Sequence, residues 1–273
     1  MEKSKIRKPA VAGQFYSSSN QGLKKQIEAF IDKKAEKMDV IACMLPHAGY
    51  MYSGAVAGDT VCRINIKDKI ILLGPNHTGY GAPFSIMTEG TWQTPLGEIK
   101  IDDILAKKVL SHSRYLESDS LAHLYEHSLE VELPFLQYFK GDFRIVPIII
   151  ISEDISVLKE VGRELAAAIK EADLKDSVMI VASSDMTHYE PQAQAVKKDK
   201  EAIEAIIELN EDGLAQKVRQ LDISMCGYAP VVVMLVAAKL LGAHNAKLIK
   251  YQTSGDISKD KDSVVGYAGI IIY

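Results

Sequence analysis

Three of the chain's seven histidines stand in short loops that directly follow apolar blocks. His47 lies in Pro46-His47-Ala48-Gly49-Tyr50, His77 in Gly74-Pro75-Asn76-His77-Thr78-Gly79, and His188 in Ser183-Ser184-Asp185-Met186-Thr187-His188-Tyr189. A lone loop histidine is most often a surface or hydrogen-bonded residue. Three at equivalent places point instead to a metal or acid/base site, because imidazole is the commonest metal ligand and titrates near neutral pH. The neighbouring glycines and prolines permit tight turns and close approach of backbone to a ligand. Cys226, in Ser224-Met225-Cys226-Gly227-Tyr228, opens an apolar helical pattern. A thiolate favoured by the helix dipole and a buried small hydrophobe are both open readings of that cysteine. Cys43 and Cys62 fall inside regular blocks and read as structural.

A competing pair is His123 and His127, whose i, i+4 spacing puts two imidazoles on one helical face. The zinc-protease pattern requires a glutamate directly after the first histidine, and Leu124 is there instead. The alternative is that His127, with Glu130 near it on the helix, supports a site built by the strand ends. His112 and His244 read as ordinary surface residues. No Gly-x-Ser-x-Gly elbow, phosphate-binding loop or Cys-x-x-Cys occurs. Tyr251-Gln252-Thr253-Ser254-Gly255-Asp256 is a turn after another apolar block and could offer polar groups to the same crevice.

The elements that must position these residues are legible in the hydrophobic pattern. Strand-like blocks run over 40–45, 69–73, 143–151, 177–182, 246–252 and 264–273. Near-continuous Val/Ile/Leu character, as in Ile145-Val146-Pro147-Ile148-Ile149-Ile150-Ile151, predicts strands covered on both faces in a mainly parallel sheet. Helical spacing is read over 21–37, 102–111, 126–139, 157–169, 195–209 and 228–241, the last apolar almost all round. The expectation is an α/β fold with a central sheet flanked by helices, in one domain over 1–273. In such folds ligands bind outside the carboxyl ends of the strands, where the histidine loops fall.

Composition bounds the functional classes. At 273 residues with 47% hydrophobic and 25% charged residues, the chain can bury a large core. A net charge of −4 argues against a basic nucleic-acid binder, and Lys197-Lys198-Asp199-Lys200 reads as a solvated helix face. No apolar run approaches the ~18 residues of a membrane span. The charged stretch from Met1 to Lys8 lacks the apolar segment of a signal peptide, so a cytoplasmic location is expected. Three cysteines are too few and odd in number for a disulfide framework.

Taken in order, the motifs resemble the Memo family, also known as AmmeMemoRadiSam system protein B, across nearly the whole chain. The resemblance rests on Arg7-Lys8-Pro9-Ala10-Val11-Ala12-Gly13-Gln14-Phe15-Tyr16, on Pro46-His47-Ala48-Gly49-Tyr50 with Ser53-Gly54, on Gly74-Pro75-Asn76-His77 and on Trp92-Gln93-Thr94-Pro95-Leu96-Gly97. It continues through Glu126-His127-Ser128-Leu129-Glu130-Val131-Glu132-Leu133-Pro134-Phe135, Ser183-Ser184-Asp185 with His188-Tyr189, Cys226-Gly227-Tyr228 and Thr253-Ser254-Gly255-Asp256. Ser17 departs from the proline usual after that tyrosine.

This resemblance implies a fold similar to the class III extradiol ring-cleaving dioxygenases. It implies a metal site of His47, His77 and Cys226, with Asp185 and His188 as the polar pair beside it. His127, Glu130, Asn76, Tyr50, Ser254 and Asp256 are the expected supporting or substrate-facing residues. A thiolate in place of a carboxylate moves the donor set toward softer metals, and the expected cofactor is a divalent or redox ion, iron(II) or copper ahead of zinc. Two function classes follow: a metal-dependent, dioxygenase-like oxidoreductase of unknown substrate, or a non-catalytic module that takes a phosphotyrosine-like peptide or small anion in the same pocket. An AMMECR1-like protein and a radical SAM enzyme are the implied pathway partners.

Overall fold

The Val/Ile/Leu blocks form the centre of a mixed sheet in the computed structural model, which describes residues 6–273. Residues 1–5, which carry most of the charged stretch read as lacking a signal peptide, lie outside the described residues. In chain order the first elements are β1 (Ile6–Arg7), α1 (Asn20–Glu28), β2 (Ala42–Leu45), α2 (Tyr50–Val61), β3 (Lys69–Pro75), β4 (Phe84–Ile86), β5 (Thr91–Thr94) and β6 (Gly97–Ile101). Next come α3 (Asp103–His112), β7 (Glu117–Ser118), α4 (Leu121–Leu124), α5 (Leu133–Phe139), β8 (Arg144–Ile150), α6 (Ile155–Glu171) and β9 (Val178–Ser183). The last are β10 (His188–Glu190), α7 (Gln192–Ile207), α8 (Glu211–Gln220), α9 (Tyr228–Leu240), β11 (Ala246–Thr253), α10 (Ser254–Ser258) and β12 (Val264–Ile272).

Strands β8, β3, β9 and β2 pair parallel in that spatial order, and β12 closes the row antiparallel to β2. These parallel strands are buried almost throughout, as their unbroken aliphatic sequences require when both faces are covered. The flanks are mixed: β5 with β6, β4 with β8 and β11 with β12 pair antiparallel, while β6 joins β8, β1 joins β5 and β4 joins β7 in parallel. One face is covered by α9, whose residues from Ala229 to Ala238 are all buried, with the amphipathic α6 packed outside it. The opposite face carries α2, which lies against β11 and β12. Asp154 starts α6 by accepting from the backbone N–H groups of Ser156 and Val157, and Asp102 starts α3 by accepting from Leu105 N–H. Among the described residues no helix is long and apolar enough to cross a membrane.

Two helical expectations are corrected. The 126–139 segment is helical only as α5; its first half is a chain of turns, because the Glu126 carboxylate accepts the backbone N–H groups of His127 and Ser128 that a helix would use elsewhere. The 21–37 pattern yields only α1, because the chain then turns to bring Phe30 against α2, its ring at Gly54 and its backbone and Cβ at Gly58. A Cβ on Gly54 would lie 2.5 Å from that ring, so glycine is what permits this contact.

His123, in α4, is fully buried with its ring edge-on to Trp92. Burial, and then the nearby Arg7 charge, push its pKa down to about 3. The unfolded chain takes up this proton below the ordinary value of 6.5, while the folded chain stays neutral until about pH 3. Stability from this residue is therefore full above 6.5 and falls as pH drops toward 3. Between pH 7 and pH 5, His123→Met is expected to lose about 2 kcal/mol less stability than the native sequence in urea unfolding. Equal losses in both proteins would contradict this.

Candidate metal centre

Because β2, β3 and β9 run parallel, their carboxyl ends open on one side and bring the three histidine loops together. His47 follows β2, His77 follows β3, and Asp185 and His188 follow β9. The backbone N–H of His47 donates to Asp185 Oδ1 at 2.9 Å, which ties the first loop to the third. Cys226 enters from the turn before α9. That turn packs so closely on the end of β9 that a Cβ on Gly227 would lie 2.2 Å from the Ser183 carbonyl oxygen. Glycine at 227 therefore sets how near Cys226 can come.

His47, His77 and Cys226 each offer one donor atom, and all three atoms lie within 4.8 Å of one another. Cys226 Sγ is 3.3 Å from His47 Nε2. Metal–nitrogen bonds of ~2.0–2.1 Å and metal–sulfur bonds of ~2.3 Å place tetrahedral ligand pairs about 3.5 Å apart, so a small contraction closes the set on one ion. The other nitrogens of both imidazoles are engaged: His47 Nδ1 meets Ser183 Oγ at 2.8 Å, and His77 Nδ1 meets Glu126 Oε1 at 2.9 Å. This is how metal-binding imidazoles are usually oriented, with the ligating nitrogen left free. Burial, followed by the neighbouring histidines, holds His47 well below its ordinary pKa and keeps it a neutral donor. The residues fit a metal ion.

For Cys226 the sequence left a dipole-favoured thiolate and a buried thiol both open. Its thiol is pushed up by burial and then by the Asp185 carboxylate, and backbone donors offset this only in part. The start of α9 does not ionise it. A bound cation would be what draws off its proton.

A second cluster, His77, Glu126 and His127, shares His77 with the first. Here Glu126 Oε2 accepts from His77 N–H at 2.5 Å, and Oε1 accepts from His77 Nδ1–H and from the N–H groups of His127 and Ser128. Burial raises its pKa, but the His77 hydrogen bond and charge and these backbone donors outweigh burial and hold it at about 2. Glu126 is thus an ionised carboxylate that orients His77.

These groups face a pocket of about 460 Å³ lined also by Phe15, His127, His188, Tyr189, Val265 and Tyr267. The His127 ring stands 4.7 Å from His77 and 4.8 Å from Phe15 between centroids. Asp185 is buried at 5% exposure, and burial holds its carboxyl above the usual carboxylate range against the opposing pull of His188 and the His47 and Ala48 N–H groups. His188 Nδ1 donates to the Ser224 carbonyl at 2.9 Å, which leaves Nε2 as its basic atom. Tyr189 next to it has φ of +59° at an irregularity in the β10–β12 pairing, a conformation that L side chains rarely adopt. The lining contains neither lysine nor arginine.

The structure brings His47, His77, Cys226, Asp185, His188 and His127 to this pocket. It does not bring Glu130, Asn76, Tyr50, Ser254 or Asp256 to its wall. Glu130 instead pairs with Arg7 and accepts from Tyr16 Oη and the N–H groups of Ala10 and Val11. Asn76 shapes the loop after β3 by accepting from Thr78 and Gly79 N–H. Tyr50 is buried and donates to the Val131 carbonyl, Ser254 accepts from Val265 N–H, and Asp256 caps α10. His123 and His127 do not share a helical face, since α4 ends at Leu124. His112 pairs with Glu171, and His244 is exposed. Phe15, Tyr267, Ser183, Glu126 and Glu132 are the contributors that spacing missed. Glu126 and Glu132 lay within a quoted motif, but the helical reading of that segment gave them no inward direction.

A profile of the Memo-like protein family matches residues 7–271. The chain is 43% identical to a MEMO1 family protein of Pyrobaculum aerophilum, covering 98% of this chain and 99% of that one. It is 44% identical to MEMO1 family proteins of Methanococcoides burtonii and Aquifex aeolicus, each over 98% of this chain and 100% and 99% of the relatives. Among solved structures it is similar to an uncharacterized protein from Escherichia coli K12, with a TM-score of 0.58, 17% identity, and coverage of 85% of this chain and 99% of that one. That likeness concerns the fold, and it agrees with the expected α/β architecture of a central sheet flanked by helices.

Proposed function

The chain belongs to the Memo-like protein family, and from that premise we propose that it is a metal-dependent, dioxygenase-like oxidoreductase acting on a small molecule. Its cofactor is iron or copper held by His47, His77 and Cys226. The observation that carries this reading is the convergence of two imidazole nitrogens and a thiol within 4.8 Å, with the other nitrogen of each ring already engaged. A redox ion held by these three residues would supply one-electron chemistry there. Asp185, buried beside the donors and held above the usual carboxylate range by desolvation, accepts or returns a substrate proton. His188 offers Nε2 for the same purpose, its ring fixed by Ser224. Phe15, Val265 and Tyr267 provide apolar surface that orients a substrate and excludes water.

The absence of lysine and arginine from the lining, together with the Asp185 carboxyl, argues against a phosphate-recognition module in this pocket. A cytoplasmic setting, where the three free cysteines stay reduced, completes the reading. An AMMECR1-like protein and a radical SAM enzyme are its proposed pathway partners. The test is oxygen uptake by the iron- or copper-loaded chain with catechol-type and thiol substrates. Metal-dependent uptake is expected, and His188→Ala should remove one limb of the pH–rate profile and slow turnover by about 10²–10⁴-fold. An unchanged profile would dispose of the His188 role, and uptake indifferent to metal would dispose of the oxidoreductase.

A further inference from the structure

Behind His47 lies a buried hydrogen-bond array that fixes where its protons must be. Ser183, the last residue of β9, is fully buried, and its Oγ makes three contacts: 2.8 Å to His47 Nδ1, 2.8 Å to the Ser128 carbonyl oxygen and 2.9 Å to Glu132 Oε1. A hydroxyl has one proton and two lone pairs. The Ser128 carbonyl can only accept, so the Ser183 proton goes to it, and the other two contacts must be donated to Ser183. His47 is then protonated on Nδ1, and Glu132 carries a proton on Oε1. Any other assignment sets the Ser183 oxygen against the Ser128 oxygen at 2.8 Å with no proton between them.

A second observation leads to the same state. Glu132 is fully buried, and its Oε2 has no hydrogen-bond partner. An ionised carboxylate with a dry, unpaired oxygen is far more costly than a neutral acid whose carbonyl oxygen lacks a partner. Its ionisable neighbours are Cys43 of β2, Tyr50 of α2 and Asp185 beyond β9, none of them a cation. Burial, and the Asp185 charge, push the Glu132 carboxyl well above its ordinary range against the Ser183 hydrogen bond.

We propose that Glu132 is a neutral carboxylic acid that acts through the Ser183 hydroxyl as a positioning residue for His47, fixing the Nδ1–H tautomer so that Nε2 stays free for a metal. This rests on the reading of His47 as a ligand. The proton arrangement itself does not require a bound ion.

The test uses infrared spectroscopy and nitrogen-15 NMR of the histidine rings on the full metal-free chain, followed by Zn(II) titration as a redox-silent probe. The native chain at neutral pH should show a protonated-carboxyl band that Glu132→Gln removes, with the His47 ring as the Nδ1–H tautomer. Glu132→Gln keeps a donor toward Ser183, so it should preserve the tautomer and leave Zn(II) affinity little changed. Glu132→Leu and Ser183→Ala should mix the tautomers and weaken Zn(II) binding about 10- to 100-fold. Loss of ionised-carboxylate bands in Glu132→Gln, or an Nε2–H tautomer in the native chain, would overturn the proposal. Neither readout depends on whether Glu132→Leu folds. A chain that shows the band and the tautomer but takes up no Zn(II) would overturn the ligand reading of His47 and leave the proton arrangement standing.

Discussion

Replacing Arg7 by methionine is expected to destabilise the fold by about 3–5 kcal/mol, because it leaves the buried Glu130 carboxylate without its counter-charge. Arg7 and Glu130 have side-chain exposures of only 3% and 0%, and Arg7 also donates to the carbonyls of His123 and Glu126 while lying 4.2 Å over the Trp92 ring. Methionine keeps much of the length and apolar stem, so the loss is electrostatic and hydrogen-bonding rather than a cavity. Glu130 would still accept from Tyr16 Oη at 2.5 Å, Ala10 N–H at 2.7 Å and Val11 N–H at 3.0 Å. These contacts strap the N-terminal segment to the site and place Phe15 beside His127. Urea unfolding measures the loss, and adding Glu130→Gln to Arg7→Met should restore part of it. A cost below about 1 kcal/mol would show that the pair is solvated in solution.

The second large effect concerns the metal donors. Cys226→Ser replaces a soft donor by a hard hydroxyl that stays protonated near neutral pH, so copper affinity should fall at least the ~100-fold that removal of a mere supporting hydrogen bond can cost. Iron(II), which is less dependent on a thiolate, should lose less. His77→Ala should weaken both metals and cost Glu126 its imidazole hydrogen bond, while the backbone N–H of residue 77 still donates to it. In the native chain the Cys226 thiol is held up by burial and by Asp185, so binding must release its proton. Affinity should therefore rise about tenfold per pH unit through neutrality. Equilibrium competition against a chromogenic chelator at two pH values reads all three effects.

The centre of the fold was legible because its strands are covered on both faces and so are written as unbroken aliphatic runs: 69–73 and 177–182 fall within β3 and β9 to within two residues at each end. The flanking strands were not legible. β5 and β6 are short and partly exposed, and β10 has no buried residue to mark it. Helix α2 was read only as a helical block around Cys62, without bounds, because Gly54 and Gly58 score against a helix until the Phe30 that packs against both is known.

At the site, the three histidine loops could be found because a parallel sheet sends the ends of its strands to one side. What the sequence did not reveal were the groups behind the donors. Glu126 and Glu132 sit in a motif whose helical spacing pointed attention to His127 and Glu130. The segment is actually turns, and it aims Glu126 at His77 and Glu132 at Ser183. Tyr50 and Asn76, expected near the donors, support the walls from outside the pocket. Their neighbours in sequence line it, and they do not.

The central claim is that His47, His77 and Cys226 hold one redox ion, and metal content reads it most directly. The full chain, purified anaerobically without an affinity tag, is analysed by mass spectrometry beside Cys226→Ser and His77→Ala. Near-stoichiometric iron or copper in the native chain, lost from both variants, is the predicted result. A native chain that stays metal-free after reconstitution, or metal that persists in both variants, would contradict it.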